Sequence, residues 1–251
     1  MPSGPARGAE GRWLKRFGQS RAGAIRLLCF HHAGGSAATY RAWPHYLPAS
    51  VEPIAVQLPG RADRLREPPF RAMEPLIEEL VTVVEPLLDR PFALYGLSMG
   101  AHVAWALTLA LREAAMPMPH MLYVASSVPP DGDSGPRDPE PRTDDLVGYL
   151  REMGGTPPEI LAEPDFLDFV LSTLRADLAV LGTHRPRPCQ PLDVPIRAFA
   201  GTADIEGSPE RMTKWRAETR AWFQLDPVTG GHFFDSGGEH QVIRAITADL
   251  T

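Results

Sequence analysis

The sequence predicts an α/β fold, a mostly parallel central sheet flanked by helices on both faces. Three observations predict it. Apolar runs of strand length recur along the 251 residues with helical stretches between them. The pentapeptide Gly96-Leu97-Ser98-Met99-Gly100 stands at one strand-to-helix junction, where such a motif makes a sharp turn and exposes its serine. Thr229-Gly230-Gly231-His232 follows the last strand candidate, and a glycine pair lets that loop fold tightly and project one side chain over the sheet edge.

Taken in order, Ile25–Phe30 is the first strand candidate. It leads into His31-His32-Ala33-Gly34-Gly35-Ser36-Ala37, a glycine-rich turn suited to presenting a backbone N–H inward. His31 and His32 read as structural rather than as metal ligands, because adjacent side chains on a strand point opposite ways. Val51–Leu58 is the second strand, and Met73–Leu88 an amphipathic helix with Leu76, Leu80, Val83, Val84 and Leu87 at helical spacing. Phe92–Tyr95 is the strand before the pentapeptide, Gly96–Ala115 the helix after it, and Met121–Ser126 the next strand.

The run Pro129–Pro141 excludes regular structure. Helical patterns follow over Thr143–Met153, with Thr143 as a candidate cap, and over Glu163–Leu181. Residues 129–188 therefore read as a helical insertion over the strand C-terminal ends, where ligands bind in open α/β sheets. That makes it a candidate lid; the plainer alternative is a passive helical excursion. Ile196–Ala200 and Trp222–Val228 complete the strands, with a helix around Ser208–Thr219 between them. Gln241–Leu250 is the final helix, with Val242, Ile243, Ile246 and Leu250 on one face. With no internal repeat and no long linker, residues 1–251 are expected to form one domain.

Composition excludes several classes. Hydrophobic residues make up 43% of the chain, ample for a core, yet no apolar run approaches the length of a bilayer span. A net charge of −6 argues against nucleic acid. The start has basic residues but no apolar signal region, so a cytoplasmic protein is expected. Cys29, inside an apolar run, reads as a core residue, and with Cys189 it makes no zinc spacing. A local basic patch is conceivable around Arg61, Arg64 and Arg66, and a solvated loop whose arginines make internal salt bridges is at least as good a reading.

A serine hydroxyl needs a base within hydrogen-bond reach, and that base needs an acid to fix its tautomer. Behind such an elbow the chain order is serine, acid, histidine. His232 satisfies that order after Ser98. His102 lies on the elbow helix, His240 at the start of the last helix, and His184 ahead of the acid. Asp204 follows Ile196–Ala200 through Gly201-Thr202-Ala203, which sets it at the same strand edge as Ser98. Asp193 falls at the wrong end, Asp226 lies inside a strand, and Asp235 is a rival through its nearness to His232. The oxyanion formed by serine attack needs two backbone donors. Met99, after the nucleophile, supplies one, and Ala33 is chosen for the second, with Gly34 next to it.

At this point the motifs resemble those of type II thioesterases, the discrete editing hydrolases of polyketide synthases and nonribosomal peptide synthetases. The resemblance rests on His32-Ala33-Gly34-Gly35-Ser36-Ala37 with Tyr40 and Trp43, on Gln57-Leu58-Pro59-Gly60-Arg61, Arg64 and Glu67-Pro68, and on Tyr95-Gly96-Leu97-Ser98-Met99-Gly100-Ala101. It continues through Gly154-Gly155-Thr156-Pro157, Leu174-Arg175-Ala176-Asp177, Gly201-Thr202-Ala203-Asp204, Trp215 and Gly230-Gly231-His232-Phe233-Phe234. It covers nearly the whole chain from Trp13 onward. Two positions depart from the family pattern. Leu97 stands where histidine is usual, and Ile205-Glu206 follows the acid, with Glu206 as its fallback.

The resemblance implies an α/β-hydrolase fold with a helical lid, and a cytoplasmic monomer. It implies a serine thioesterase that clears aberrant or stalled acyl groups from the phosphopantetheine arm of acyl or peptidyl carrier proteins. No protein-bound cofactor or metal is implied, since the substrate carries the phosphopantetheine. Carrier docking would need a local basic or apolar patch, with Arg61 and Arg64 as conceivable contributors. Leu161, Phe166, Phe169 and Leu174 are candidate walls of the acyl chamber, and each is equally well explained as lid core. The alternatives are a chain-terminating thioesterase, which the chain's own start methionine disfavours, a general carboxylesterase, and a non-enzymatic scaffold on the same fold.

Overall fold

The computed structural model describes residues 11–19, 23–130, 143–154, 159, 163–184 and 189–251. Within the expected insertion, residues 131–142, Gly155-Thr156-Pro157, Leu161 and the side chains of Thr143 and Phe166 lie outside the described residues.

Among the described residues seven strands form one sheet: β1 (Leu14–Lys15), β2 (Ile25–Phe30), β3 (Val51–Val56), β4 (Phe92–Leu97), β5 (Leu122–Ala125), β6 (Ile196–Gly201) and β7 (Phe223–Val228). Their spatial order is β1-β3-β2-β4-β5-β6-β7. β1 pairs antiparallel with β3, and every other pair is parallel. All six parallel strands therefore end on one edge, and the loops after β2, β4, β6 and β7 meet there.

Period-two alternation sorts side chains to the two faces. Leu28 and Phe30 of β2 join one core with Ile54, Leu94, Val124 and Ala198. Leu27 and Cys29 join the other with Ala55, Tyr95, Tyr123 and Phe199. Helices α1 (Met73–Val84) and α2 (Met99–Glu113) cover the first face through Leu76, Leu80, Val103 and Leu107. Helix α5 (Ser236–Leu250) covers the second through Val242, Ile243, Ile246 and Leu250. Each fully buried leucine contributes about 2 kcal/mol by removal from water. Cys29 is a buried core residue as expected, and burial pushes its thiol well above the ordinary range.

Between β5 and β6 lie α3 (Thr143–Met153) and α4 (Pro164–Thr183). They make a core of their own from Leu146, Leu150, Leu171, Leu174 and Leu178, with Ala33 and Leu181 packed against both it and the main core.

Several boundaries differ from expectation for local reasons. The Met73–Leu88 helix is α-helical only to Val84 and tightens to 3-10 over Glu85–Leu87, where Pro86 supplies no N–H. The last helix starts five residues early because Asp235 caps it, its carboxylate accepting from Gly238 N–H at 2.8 Å. His240 thus sits inside that helix. The segment around Ser208–Thr219 is one α-turn, Pro209–Met212, capped by Ser208, followed by a 3-10 stretch Thr213–Glu218. β1 was not expected, since two residues give no periodicity to read.

Candidate active site

Ser98 sits on the turn between β4 and α2 with φ 55° and ψ −115°. Two close approaches make this possible. A Cβ on Gly96 would lie 2.1 Å from Gly100 O, and one on Gly100 would lie 2.1 Å from Phe30 O. Only glycine fits either place, so the pentapeptide spacing is what lets the turn close against β2. Ser98 N–H donates to Ala125 O at 2.8 Å, tying the turn to β5.

His232 and Asp204 come from the loops after β7 and β6. His232 Nε2 lies 2.9 Å from Ser98 Oγ, and its Nδ1 lies 3.1 Å from Asp204 Oδ2. A carboxylate only accepts, so Nδ1 carries the proton and Nε2 accepts from the serine hydroxyl. His232 and Asp204 are both buried. Burial alone would raise the Asp204 carboxyl, but hydrogen bonds from His232 and from the backbone N–H groups of Gly207 and Glu206 outweigh it, holding it below its ordinary value. The Glu206 N–H bond to Asp204 Oδ1 is 3.0 Å.

The rival residues are occupied elsewhere. Asp235 accepts from Thr229 Oγ1 at 2.6 Å and caps α5. Glu206 contributes its backbone to Asp204. His102 Nε2 is 2.9 Å from Ser127 Oγ, and His240 stacks edge-on with Tyr46.

Met99 opens α2, so its N–H has no intrahelical acceptor. Ala33 lines a cleft with Ser98 and lies in the turn after β2, which Gly35 N–H closes onto His32 O at 3.0 Å. Two clefts open from Ser98. One is walled by His32, Ala33, Gly34, Tyr149, Leu150, Met153, Gly154, Val170 and Phe233, largely apolar and roofed by α3 and α4. The other is lined by Met99, Ser126, Ser127, Val128, Leu181, Glu206 and Arg211, a more polar set.

Two expectations need correction. Arg61 and Arg64 do not form a docking patch, since both are buried. Arg61 makes a two-pronged ion pair with Asp177, at 2.6 and 2.7 Å. Arg64 pairs with Glu67 at 2.6 Å and lies over the Trp13 ring, 4.0 Å from its centroid. Neither Phe169 nor Leu174 lines the apolar cleft. Phe169 is exposed, and Leu174 is buried in the α3–α4 core. The walls are Tyr149, Leu150, Met153 and Val170, which sequence reasoning missed. Helical phase was the available signal, because Val170 is one residue on from Phe169. Among the described residues no cluster of three His, Cys, Asp or Glu suits a metal, and no helix is long and apolar enough to cross a membrane.

A serine, histidine and aspartate in hydrogen-bonded sequence, carried on loops at the C-terminal edge of this sheet, define the α/β-hydrolase class of serine hydrolases. The comparisons narrow that class. Residues 25–250 match the thioesterase domain family, and the chain belongs to it. It is 33% identical over 260 residues to the thioesterase PikA5 of Streptomyces venezuelae, covering 100% of this chain and 89% of that one. Its structure resembles RedJ, the thioesterase from the prodiginine biosynthetic pathway in Streptomyces coelicolor, with TM-score 0.85, 33% identity and 91% of each chain covered. It also resembles the type II thioesterase BorB from the borrelidin biosynthetic cluster, with TM-score 0.83, 29% identity and coverage of 95% and 98%. The protein is a serine thioesterase of the α/β-hydrolase fold.

Proposed function

We propose that this thioesterase is a type II, editing enzyme that hydrolyses stalled or aberrant acyl groups from the phosphopantetheine arm of acyl or peptidyl carrier proteins. Ser98 is the nucleophile, His232 the base and then acid, and Asp204 the residue that orients His232. As Ser98 Oγ attacks the thioester carbonyl, its proton passes to His232 Nε2. The oxyanion is met by the N–H groups of Ala33 and Met99. The carbon–sulfur bond breaks, the pantetheine sulfur takes the proton from His232, and acyl-Ser98 remains. Water attacks next, giving a proton to His232; the bond between the acyl carbon and Ser98 Oγ then breaks, Ser98 Oγ takes that proton back from His232, and the free acid leaves. Every proton comes from Ser98, His232 or water, so the reaction as written uses no cofactor beyond the substrate's own arm.

The observation that carries the substrate is the pair of unlike clefts meeting at Ser98. The apolar one under α3 and α4 suits an acyl chain, and the one with Ser126, Ser127 and Arg211 suits the amides and phosphate of the arm. In this reading residues 129–188 are a lid within one domain. On the same reading the protein acts as a monomer in the cytoplasm beside its synthase. A net charge of −6 suits neither nucleic acid nor an anionic membrane as a partner.

The test is intact-protein mass spectrometry of acyl-loaded carrier protein incubated with the wild type and with Ser98→Ala. Loss of the acyl mass with the wild type alone is the expected result. If the carrier stays acylated while simple p-nitrophenyl esters are cleaved, the protein is a general carboxylesterase.

A further inference from the structure

The Ala33–Gly34 peptide is gripped at both ends. Its N–H donates to Asp177 Oδ2 at 2.7 Å, and its carbonyl lies 2.9 Å from His32 Nδ1. A carbonyl only accepts, so His32 Nδ1 carries the proton. Burial lowers the pKa of His32, which keeps the ring neutral in that role. The turn is closed by Gly35 N–H to His32 O at 3.0 Å with Gly34 at φ +75°, the arrangement of a type II turn. The central peptide of such a turn can flip to type I geometry with φ of its first central residue unchanged, so groups that grip this peptide fix the seat of the turn that carries Ala33 N–H.

Asp177 reaches this turn from α4, 143 residues away in sequence. Its side chain is 2% exposed and that of Arg61 is 4% exposed. Arg61 Nη1 also donates to Gly35 O at 3.2 Å, and Arg61 Nε to Pro59 O at 3.2 Å. Gly34 further packs under Leu174 of the same helix, which would stand 3.7 Å from a Cβ there. A buried ion pair alone is explained as a staple between insertion and body. It does not explain why the carboxylate oxygen that takes Arg61 Nη1 also takes Gly34 N–H.

We propose that Asp177 is a positioning residue which, together with His32, clamps the Ala33–Gly34 peptide and thereby holds the turn that carries Ala33 N–H in place at the site of the oxyanion. Helix α4 is then more than a cover, because it sets one half of the oxyanion hole. The inference rests on the reading of Ala33 N–H as an oxyanion donor.

Removing Asp177 alone strands a buried guanidinium and threatens the fold, so the test uses paired substitutions. Arg61→Met with Asp177→Asn removes the ion pair but keeps a side-chain carbonyl to accept from Gly34. Arg61→Met with Asp177→Leu removes the ion pair and the acceptor. Deleting an oxyanion donor costs about 10²–10³ in kcat, and misaiming one is expected to cost about 10- to 100-fold. The leucine pair should therefore lose that factor in kcat at unchanged KM, and bind an acyl trifluoromethyl ketone, a mimic of the tetrahedral adduct, more weakly by the same factor. The asparagine pair should stay within a few-fold of the wild type. Equal kcat in the two pairs, or a change in KM alone, overturns the proposal.

Ala33→Pro, which deletes the donor itself, separates the two readings. If it is inactive while the leucine pair is active, only the clamp falls. If it is active, the oxyanion assignment falls as well. Hydrogen exchange on the wild-type enzyme needs no variant. The Gly34 amide should exchange as slowly as the amides in the middle of α4, and fast exchange there overturns the clamp even if neither pair folds.

Discussion

At Ser98 the backbone takes a combination of φ and ψ that costs on the order of 1–3 kcal/mol for a residue with a Cβ. The turn survives because Gly96 and Gly100 let β2 and α2 approach it and Ala125 O anchors it. The same economy of local signals made the triad legible in the sequence: each member follows a strand through a glycine-marked turn. Asp204 is the member whose ionisation the structure defines. Asp204→Asn leaves the shape but favours the wrong His232 tautomer, so kcat should fall by about 10⁴, read in carrier deacylation; a near-normal rate would move the acid elsewhere. Stability should respond to pH as well. The folded carboxyl titrates below its ordinary value, so its contribution is fully present above the unfolded pKa of about 3.9 and is lost as pH falls through the folded value. The melting-temperature gap between wild type and Asp204→Asn should therefore close on acidification, and a gap independent of pH would show that Asp204 is not held ionised. Asp177 and Arg61 each stand in a recognisable motif, but their partnership spans 116 positions and has no local signature. Sequence alone leaves open whether Arg61 faces solvent or an internal ion pair; folding buries it.

Helices α3 and α4 show how far periodicity reaches. Their existence follows from apolar spacing, and the structure bears it out at Thr143–Met153 and Pro164–Thr183. Which face meets the cleft does not follow, because the same leucines suit either a helix pair or a pocket wall. Leu146, Leu150, Leu171 and Leu174 pair the helices, with Leu150 also reaching the cleft, which leaves Tyr149, Met153 and Val170 as the remaining wall on that side. If that cleft takes the acyl chain, enlarging Val170 should shorten the chains accepted. One methylene in an apolar pocket is worth about 10–200-fold in kcat/KM, so Val170→Trp should depress kcat/KM for octanoyl-pantetheine at least about tenfold relative to acetyl-pantetheine. Equal losses on both chains would remove Val170 from the acyl wall. The β1 strand, invisible to periodicity, exists because β3 offers an open edge to Leu14 and Lys15.

On the scale of the whole molecule, the question is whether the insertion is a separate unit or part of one cooperative body. The sheet binds two large cores, one on each face, and the α3–α4 core is a third. That third core is small, and several connections tie it to the rest, the following among them. Ala33 and Leu181 pack against both it and the main core, the Arg61–Asp177 pair is buried between α4 and the loop after β3, and Asp177 holds the turn after β2. Opening the insertion alone would expose an unpaired guanidinium and carboxylate from a site that excludes water. Local unfolding is thereby coupled to the global transition, and thermal unfolding should be a single step in which calorimetric and van't Hoff enthalpies agree. Leu171 is fully buried within the third core, and Leu171→Ala should cost about 2–5 kcal/mol. At this chain length each kcal/mol moves the midpoint by about 2–4 °C, so the one transition should shift down by roughly 4–20 °C without splitting. A new low-temperature step in that variant, with the main transition unmoved and Ser98 still open to a fluorophosphonate, would mean that α3 and α4 melt as an independent lid over an intact body.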